Sequence, residues 1–276
     1  MVGPLSVLNH YGTADLMERV DQALKQAGLD DGSLTWPDLA PLDQFHVRGL
    51  AATKELAEGL GLEAGTTVID VGCGLGGPAR YLAATHGCRV IGIDLSRRFI
   101  DVAQTLSERV GLSASVTFRQ ADALDLPFAD HAFDHAWTQH VAMNITDKDR
   151  FYANIRRVLK PAGRLAIYDV VAGDVEPLIF PVPWAGRAEI SFVVTIDAMW
   201  NFLTKAGFEE ISWADKTDAA VSWLAEQKAA QRSTPVASPL GLHIVMGSGF
   251  PEMAANFSRN LRENRARLIQ AIVRRV

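Results

Sequence analysis

Val68-Ile69-Asp70-Val71-Gly72-Cys73-Gly74-Leu75-Gly76-Gly77 runs from a short apolar strand through a glycine-rich turn into a helix. Thr67 to Val71 has the apolar, β-branched texture of a buried strand. Pro78 falls in the first turn of the following helix, where a missing N–H leaves nothing unpaired. The glycines allow a tight turn and let the backbone approach a ligand with no Cβ in between. Two spacings fit. Gly72, Gly74 and Gly77 satisfy G-x-G-x-x-G, the dinucleotide fingerprint, and Gly72, Gly74 and Gly76 satisfy G-x-G-x-G.

Outward from this turn, strands and helices alternate. Residues 88–95 form a second apolar run ending at Asp94, and Ser96 is placed to cap a helix over 97–110. Strands are expected at 115–121, 132–138, 164–171 and 208–216, with a last strand at 266–273. Helices are expected at 147–159, closed by Lys160-Pro161-Ala162-Gly163, and at 197–206. Upstream, helices at 14–27 and 46–60 flank a turn-rich stretch from Gly28 to Pro41, and Asp43 is a candidate N-cap for the second. Such alternation predicts a mostly parallel sheet with helices on both faces. Ligands bind outside the carboxyl ends of its strands.

Composition excludes several classes. The chain has 276 residues, with 27 Lys and Arg against 32 Asp and Glu, a net charge of −5 that gives a nucleic acid no electrostatic purchase. Cys73 and Cys88 are too few for a disulfide scaffold and lack metal-ligand spacing. No apolar run approaches the ~18 residues of a membrane span. Met1 to Tyr11 carries no basic flank and no apolar signal core. A cytoplasmic protein is expected, monomeric or homodimeric, acting on a small molecule without nucleic-acid or membrane partners.

Asp94 lies about 20 residues beyond the glycine turn, where a carboxylate accepts both ribose hydroxyls of a bound nucleoside. That placement serves a nicotinamide cofactor and S-adenosylmethionine (SAM) alike. Three features separate them. Asp70 precedes the turn, where a carboxylate faces a methionine ammonium but repels a pyrophosphate. Asp122 and Ala123 follow the third strand, offering a carboxylate to an adenine amino group and an N–H to a ring nitrogen. Phe133-Asp134 opens the fourth strand after the Leu126-Pro127-Phe128 turn.

Here the chain resembles the class I SAM-dependent methyltransferases. The resemblance is carried by residues 68–74, Gly92-Ile93-Asp94-Leu95-Ser96, residues 122–128 and Arg157-Val158-Leu159-Lys160-Pro161-Ala162-Gly163. It implies an α/β fold: a Rossmann-like seven-stranded, mostly parallel sheet with an antiparallel last strand, helices on both faces and an added helical cover. It implies SAM, with S-adenosylhomocysteine as product, held by Gly72 and Gly74, Asp94 and the Asp122–Ala123 step; Asp70, Cys73, Leu95, Gln139 and Gln44 are further candidates for cofactor contact. Ala162 departs from a pattern in which a second glycine is usual. Thr138-Gln139-His140-Val141-Ala142-Met143-Asn144-Ile145 resembles the sarcosine/dimethylglycine and phosphoethanolamine methyltransferase relatives. A catalytic histidine of the phosphoethanolamine branch aligns with Asn144, which cannot act as a base, and this counts against a phosphobase acceptor.

The expected organisation is an N-terminal helical cover, residues 1–65, on a SAM-binding domain, residues 66–276, with a helical insertion around 218–262. Connections at 138–147, 172–196 and 218–262 open on the ligand face, and loops this long commonly form lids. His140 is either a general base or a histidine that packs on the cofactor. Tyr11 orients the nucleophile or is an ordinary surface tyrosine. Gln44, His46 and Arg48 reach the cofactor or substrate, or residues 43–49 are only a polar helix start capped by Asp43. Trp184 offers an amine a cation–π face or anchors its loop. His243 completes the pocket or is structural. Arg259, Arg262, Arg265, Arg267, Arg274 and Arg275 attract an acidic substrate or form a solvated face.

Methyl transfer from a sulfonium is an in-line displacement with a good leaving group, so no covalent enzyme intermediate or metal is required. Alignment of the reacting atoms can supply ~7–11 kcal/mol. The competing readings are an NAD(P)-dependent oxidoreductase and a non-catalytic SAM-binding protein.

Overall fold

A computed structural model describes residues 16–30, 32–233 and 238–276. Helix α1 (Leu16–Gln26) is followed by a 3-10 turn (Trp36–Leu39), the short α2 (Ala40–Asp43) and α3 (Gly49–Leu60). Then come β1 (Thr67–Val71), α4 (Gly77–His86), β2 (Arg89–Asp94), α5 (Arg97–Arg109), β3 (Val116–Gln120) and β4 (Phe133–Gln139). The chain continues with α6 (Lys148–Val158), β5 (Leu159–Ala172), α7 (Ile196–Lys205) and β6 (Phe208–Asp215). Helices α8 (Thr217–Ser233), α9 (His243–Met246) and α10 (Phe250–Arg262) precede β7 (Ala266–Arg275).

The seven strands form one sheet in the order β3-β2-β1-β4-β5-β7-β6. Pairing is parallel from β3 through β5, and β7 inserts antiparallel between β5 and β6. The expected Rossmann-like, mostly parallel sheet with an antiparallel last strand is what the chain forms. Period-two alternation sends neighbours to opposite layers. Val68, Ala166 and Tyr168 pack with Leu56, Leu60 and Leu82 of α3 and α4. Ile69, Leu165 and Ile167 pack with Phe151, Ile155 and Leu203 of α6 and α7. A third cluster joins Leu16, Val20 and Leu24 of α1 to Phe99 of α5 and to Ile244 and Val245 of α9.

Three local expectations change. The second upstream helix starts at Gly49, not at 46, because Arg48 sits in the left-handed region (φ 68°) and breaks the helical path. Asp43 is therefore not its N-cap; it ends α2 and is buried against Arg80. Strand β5 already starts at Leu159, which pairs with Phe133, and Lys160–Gly163 bulge out of the ladder before pairing resumes at Arg164. The register slips between Phe133 and His135, and Ala162 absorbs the irregularity at φ 60°.

Strand order reverses between β1 and β4, the switch point at which open α/β sheets bind ligands. Asp70 lies in register with Gly92 on one side and Trp137 on the other, at the carboxyl edge of that crevice.

Candidate active site

The glycine turn is held by its neighbour strand. The N–H groups of Gly72 and Cys73 donate to the Ile93 carbonyl at 2.8 and 2.9 Å, and Gly76 N–H donates to Cys73 O at 2.8 Å. Gly72 has φ 80°, and a Cβ there would lie 2.3 Å from Val141 Cγ2, so only glycine fits. Of the two spacings, it is Gly72, Gly74 and Gly76 that take positive φ. Gly77 does not, but a Cβ on it would strike the Asp43 carbonyl at 2.5 Å. Thus Gly77 serves the close approach of α2 to α4.

Asp94 ends β2, where its Oδ2 accepts from Gly74 N–H (3.1 Å) and its Oδ1 from Ser96 N–H (2.8 Å). A carboxylate has about four lone-pair sites, so capacity remains for ligand hydroxyls. Asp122 accepts from Leu124 N–H at 2.9 Å, which fixes the loop after β3. These groups border a cleft of about 190 Å³. Of the residues singled out in the sequence, Asp70, Gly72, Cys73, Gly74, Asp94, Leu95, Asp122, Ala123, Gln139, His46, His140 and Asn144 line it.

The cleft fits SAM on an observation of its own. Asp70 Oδ2 is buried with no hydrogen-bond partner. Burial, reinforced by the charge of Asp94, pushes the Asp70 carboxyl up to about 8. An ammonium placed there supplies the missing partner and the missing counter-charge. Asp94 is also raised, chiefly by burial. Facing carboxylates would repel a pyrophosphate.

His140 follows β4 in the left-handed region (φ 54°), a conformation that is uncommon outside glycine and clusters at functional sites. Its N–H donates to Tyr168 O at 2.8 Å, and its ring stacks on Tyr168, 5.6 Å between centroids and 13° between planes. The Nε2 atom is buried and meets no protein partner. Burial, and next the neighbouring His46, hold His140 well below the usual imidazole value, so the ring is neutral.

The loop carrying His140 is pinned from below. Asp169 accepts from Ala142 N–H (2.7 Å) and Val170 N–H (2.8 Å), with Val141 N–H as a further donor. Lys148 Nζ donates to the carbonyls of Ala142 (2.9 Å), Ile145 (2.7 Å) and Phe192 (2.6 Å). Burial pushes Asp169 up to about 6 and Lys148 down to about 8.

A buried polar network lies beside the cleft. Thr53 Oγ1 donates to Gln44 Oε1 at 2.6 Å, and Trp137 Nε1 donates to Gln139 Oε1 at 2.9 Å. His46 Nε2 stands 3.1 Å from Thr53 Oγ1 and 3.2 Å from Gln139 Nε2. Burial lowers His46 to about 4. Gln44 thus sits behind the cleft in this network and is not part of its lining. Arg48 pairs with Glu55 at 2.7 Å and faces Tyr168.

A second cavity, about 110 Å³, shares Phe45, His46 and His140 with the first. Trp184 lines it, and its indole N–H donates to Ser191 Oγ at 2.9 Å. His243 lines neither cavity, and Tyr11 lies outside the described residues. Sequence reasoning missed Trp223, Phe250 and Phe257 of this second wall, and the Asp169 and Lys148 anchors. A lone acid inside the apolar run of β5 was the one available signal for Asp169. The terminal arginines are engaged: Arg259 and Arg265 with Glu263, Arg267 with Asp174, and Arg274 with Glu209.

Comparison with known proteins agrees with this geometry. A family model described as a methyltransferase domain matches residues 69–167. The methyltransferase GfsG of Streptomyces halstedii is 34% identical over 186 residues, 66% of this chain and 67% of that protein. An O-methyltransferase of Aspergillus nomiae is 32% identical over 187 residues, 67% of this chain and 83% of that protein. The solved phosphoethanolamine N-methyltransferase 2 of Haemonchus contortus, in complex with SAM, superposes with a TM-score of 0.74. That match covers 96% of this chain and 60% of that one at 18% identity, which shows a shared fold. The two sequence relatives favour methyl transfer over the nicotinamide and non-catalytic alternatives. The chain belongs to the class I methyltransferases, enzymes that use SAM as methyl donor.

Proposed function

We propose that His140 stands at the point of methyl transfer, taking the proton of an oxygen or nitrogen nucleophile on a small molecule held in the second cavity. The observation that carries this reading is that the His140 ring borders both cavities and its Nε2 is buried without a partner. When bound, SAM supplies a methyl group on a cationic sulfur. In transfer the carbon–sulfur bond breaks with its electron pair going to sulfur, while the acceptor–carbon bond forms. The neutral ring is suited to the charge balance: it gains a proton as the neighbouring positive charge disappears. Asp70 holds the ammonium, Asp94 the ribose hydroxyls, and Asp122 with Ala123 the adenine edge. Gln139, Cys73, Gly72, Gly74 and Leu95 complete that wall, and Asn144 and His46 flank the acceptor.

We further propose residues 1–65 and the 218–262 insertion as a cover over both cavities on one SAM-binding domain. The contact of α1 with α9 in the third apolar cluster supports this. Tyr11, Gln44 and His243 belong to that proposed cover. A monomer or homodimer is proposed as well, and a cytoplasmic location is in keeping with two free, buried cysteines.

The test is release of S-adenosylhomocysteine over a panel of phenols, alcohols, amines and carboxylates, in wild type and His140→Asn. Turnover by the wild type and its loss in the variant, with SAM binding retained, support the reading.

A further inference from the structure

Resting on the methyl-transfer reading, we propose that the acceptor is an uncharged, largely apolar molecule. It presents a hydroxyl to His140 and seats its hydrocarbon or aromatic body in the second cavity.

The chemistry of that cavity's wall is one-sided. Trp184, Trp223, Phe250, Phe257, Met143 and Met246 supply ring faces and thioethers. Among the described residues lining it there is no Asp, Glu, Lys or Arg; the ionisable groups there are His46 and His140. Trp184 spends its N–H on Ser191, leaving its ring to pack edge-to-face on Phe257 at 5.2 Å. Such a wall recognises apolar area and aromatic edges.

Charged acceptors fail on the same wall. A phosphate or carboxylate would be stripped of water with no cation to receive it. Arg48, next to Val47 of the wall, pairs with Glu55, and Arg259, two residues from Phe257, pairs with Glu263. A protonated amine would find ring faces but no carboxylate, would lie next to the positive sulfur of the donor, and has no lone pair with which to attack until it loses its proton. Polar capacity is concentrated at one end, where His46 and His140 meet with ring centroids 6.0 Å apart. One polar end on an apolar chamber selects a molecule with the same pattern. Met143 and Met246, being flexible, allow bodies of varied outline.

The experiment is equilibrium binding of four probes to the protein saturated with S-adenosylhomocysteine: 2-naphthol, 1-decanol, sarcosine and phosphoethanolamine. Wild type is compared with Ala254→Glu and Ala254→Leu, which place a charge or bulk in the cavity wall. Binding of S-adenosylhomocysteine itself is measured first in all three proteins. The expected result is binding of 2-naphthol and 1-decanol but not of the two charged amines. Ala254→Glu should weaken 2-naphthol at least tenfold with S-adenosylhomocysteine affinity unchanged, and Ala254→Leu should weaken it by less. Tighter binding of sarcosine or phosphoethanolamine than of 2-naphthol overturns the proposal. So does 2-naphthol binding that ignores both substitutions, or none in the wild type. Failure of S-adenosylhomocysteine to bind the wild type instead overturns the cofactor reading on which the proposal rests.

Discussion

The rings of His140 and Tyr168 stack nearly parallel, 13° apart at 5.6 Å, and the His140 N–H donates to the Tyr168 carbonyl. A strained residue is thereby held by its neighbour at both backbone and side chain. A ring contact of this kind contributes ~0.5–1.5 kcal/mol. Since ~1.4 kcal/mol is a factor of ten in rate, Tyr168→Ala should lower kcat up to about tenfold through loss of ring orientation. Tyr168→Phe keeps the stack and should retain most of kcat. Steady-state kinetics on both variants, with SAM affinity as control, check this.

Cofactor binding should depend on pH through Asp70. In the free protein its carboxyl is raised to about 8, first by burial and then by Asp94, so it is largely protonated at neutral pH. An arriving ammonium favours the ionised form, so binding expels a proton. Affinity for SAM should therefore increase from pH 6 to pH 8, and calorimetry in buffers of different ionisation enthalpy should detect proton release at pH 7. Asp70→Asn should bind weakly and lose this dependence. The stability sign is the opposite. The unfolded chain gives up this proton near pH 4 and the folded one near pH 8, so the group's contribution falls across that interval. Without cofactor, the stability of Asp70→Asn relative to wild type should grow from pH 4 to pH 8 in urea titrations.

Asp43 and Arg80 form a buried ion pair at 2.7 Å, with side chains 3% and 1% exposed. Arg80 also donates to Leu75 O (2.5 Å) in the glycine turn, to Ser107 Oγ (2.8 Å) and to Ala103 O (3.1 Å). Removing one partner of such a pair costs about 3–5 kcal/mol. Arg80→Leu should lose stability on that scale in urea denaturation and weaken SAM binding, because the turn loses its anchor. Asp43, raised to about 6 by burial despite Arg80, offers a milder change in Asp43→Asn.

Two glycines with similar torsions should behave differently. Gly72 and Gly65 have φ 80° and 84°, but a Cβ meets Val141 at 2.3 Å in the first and open space in the second. Gly65→Ala pays only the left-handed strain of ~1–2 kcal/mol. Gly72→Ala must also displace Val141, the neighbour of His140, and should weaken SAM at least tenfold. Paired calorimetric titrations and thermal melts separate the two effects.

The sheet and its cradle were legible because they are local. Strand period, a glycine turn and an acid at each strand end lie within runs of a few residues. The cleft carboxylates Asp70, Asp94 and Asp122 follow from topology once the strands are placed. What was hidden depends on tertiary meeting. Asp43 reads as a helix cap until Arg80 arrives from a distant helix. Ala162 reads as a harmless departure, yet it occupies φ 60°, where a glycine would be unstrained. The aromatic wall was missed for the same reason. Trp223 sits on α8 and Phe250 and Phe257 on α10, and each alone is an ordinary apolar residue. The terminal arginines illustrate the reverse: prominent as a run, they are engaged singly, Arg259 and Arg265 on the nearby Glu263, and Arg267 and Arg274 on Asp174 and Glu209, which the sequence places far away.

The central claim is that His140, between a SAM cleft and an apolar chamber, takes the acceptor's proton. Positioned proton transfer contributes roughly 10²- to 10⁴-fold in rate. The direct measurement is single-turnover formation of S-adenosylhomocysteine with 2-naphthol as acceptor, as a function of pH, in wild type and His140→Asn. The account predicts a drop of at least about 100-fold in the variant near neutral pH, SAM affinity retained, and recovery at higher pH as the naphthol ionises by itself. An unchanged rate in His140→Asn across the pH range, with SAM bound, would contradict it.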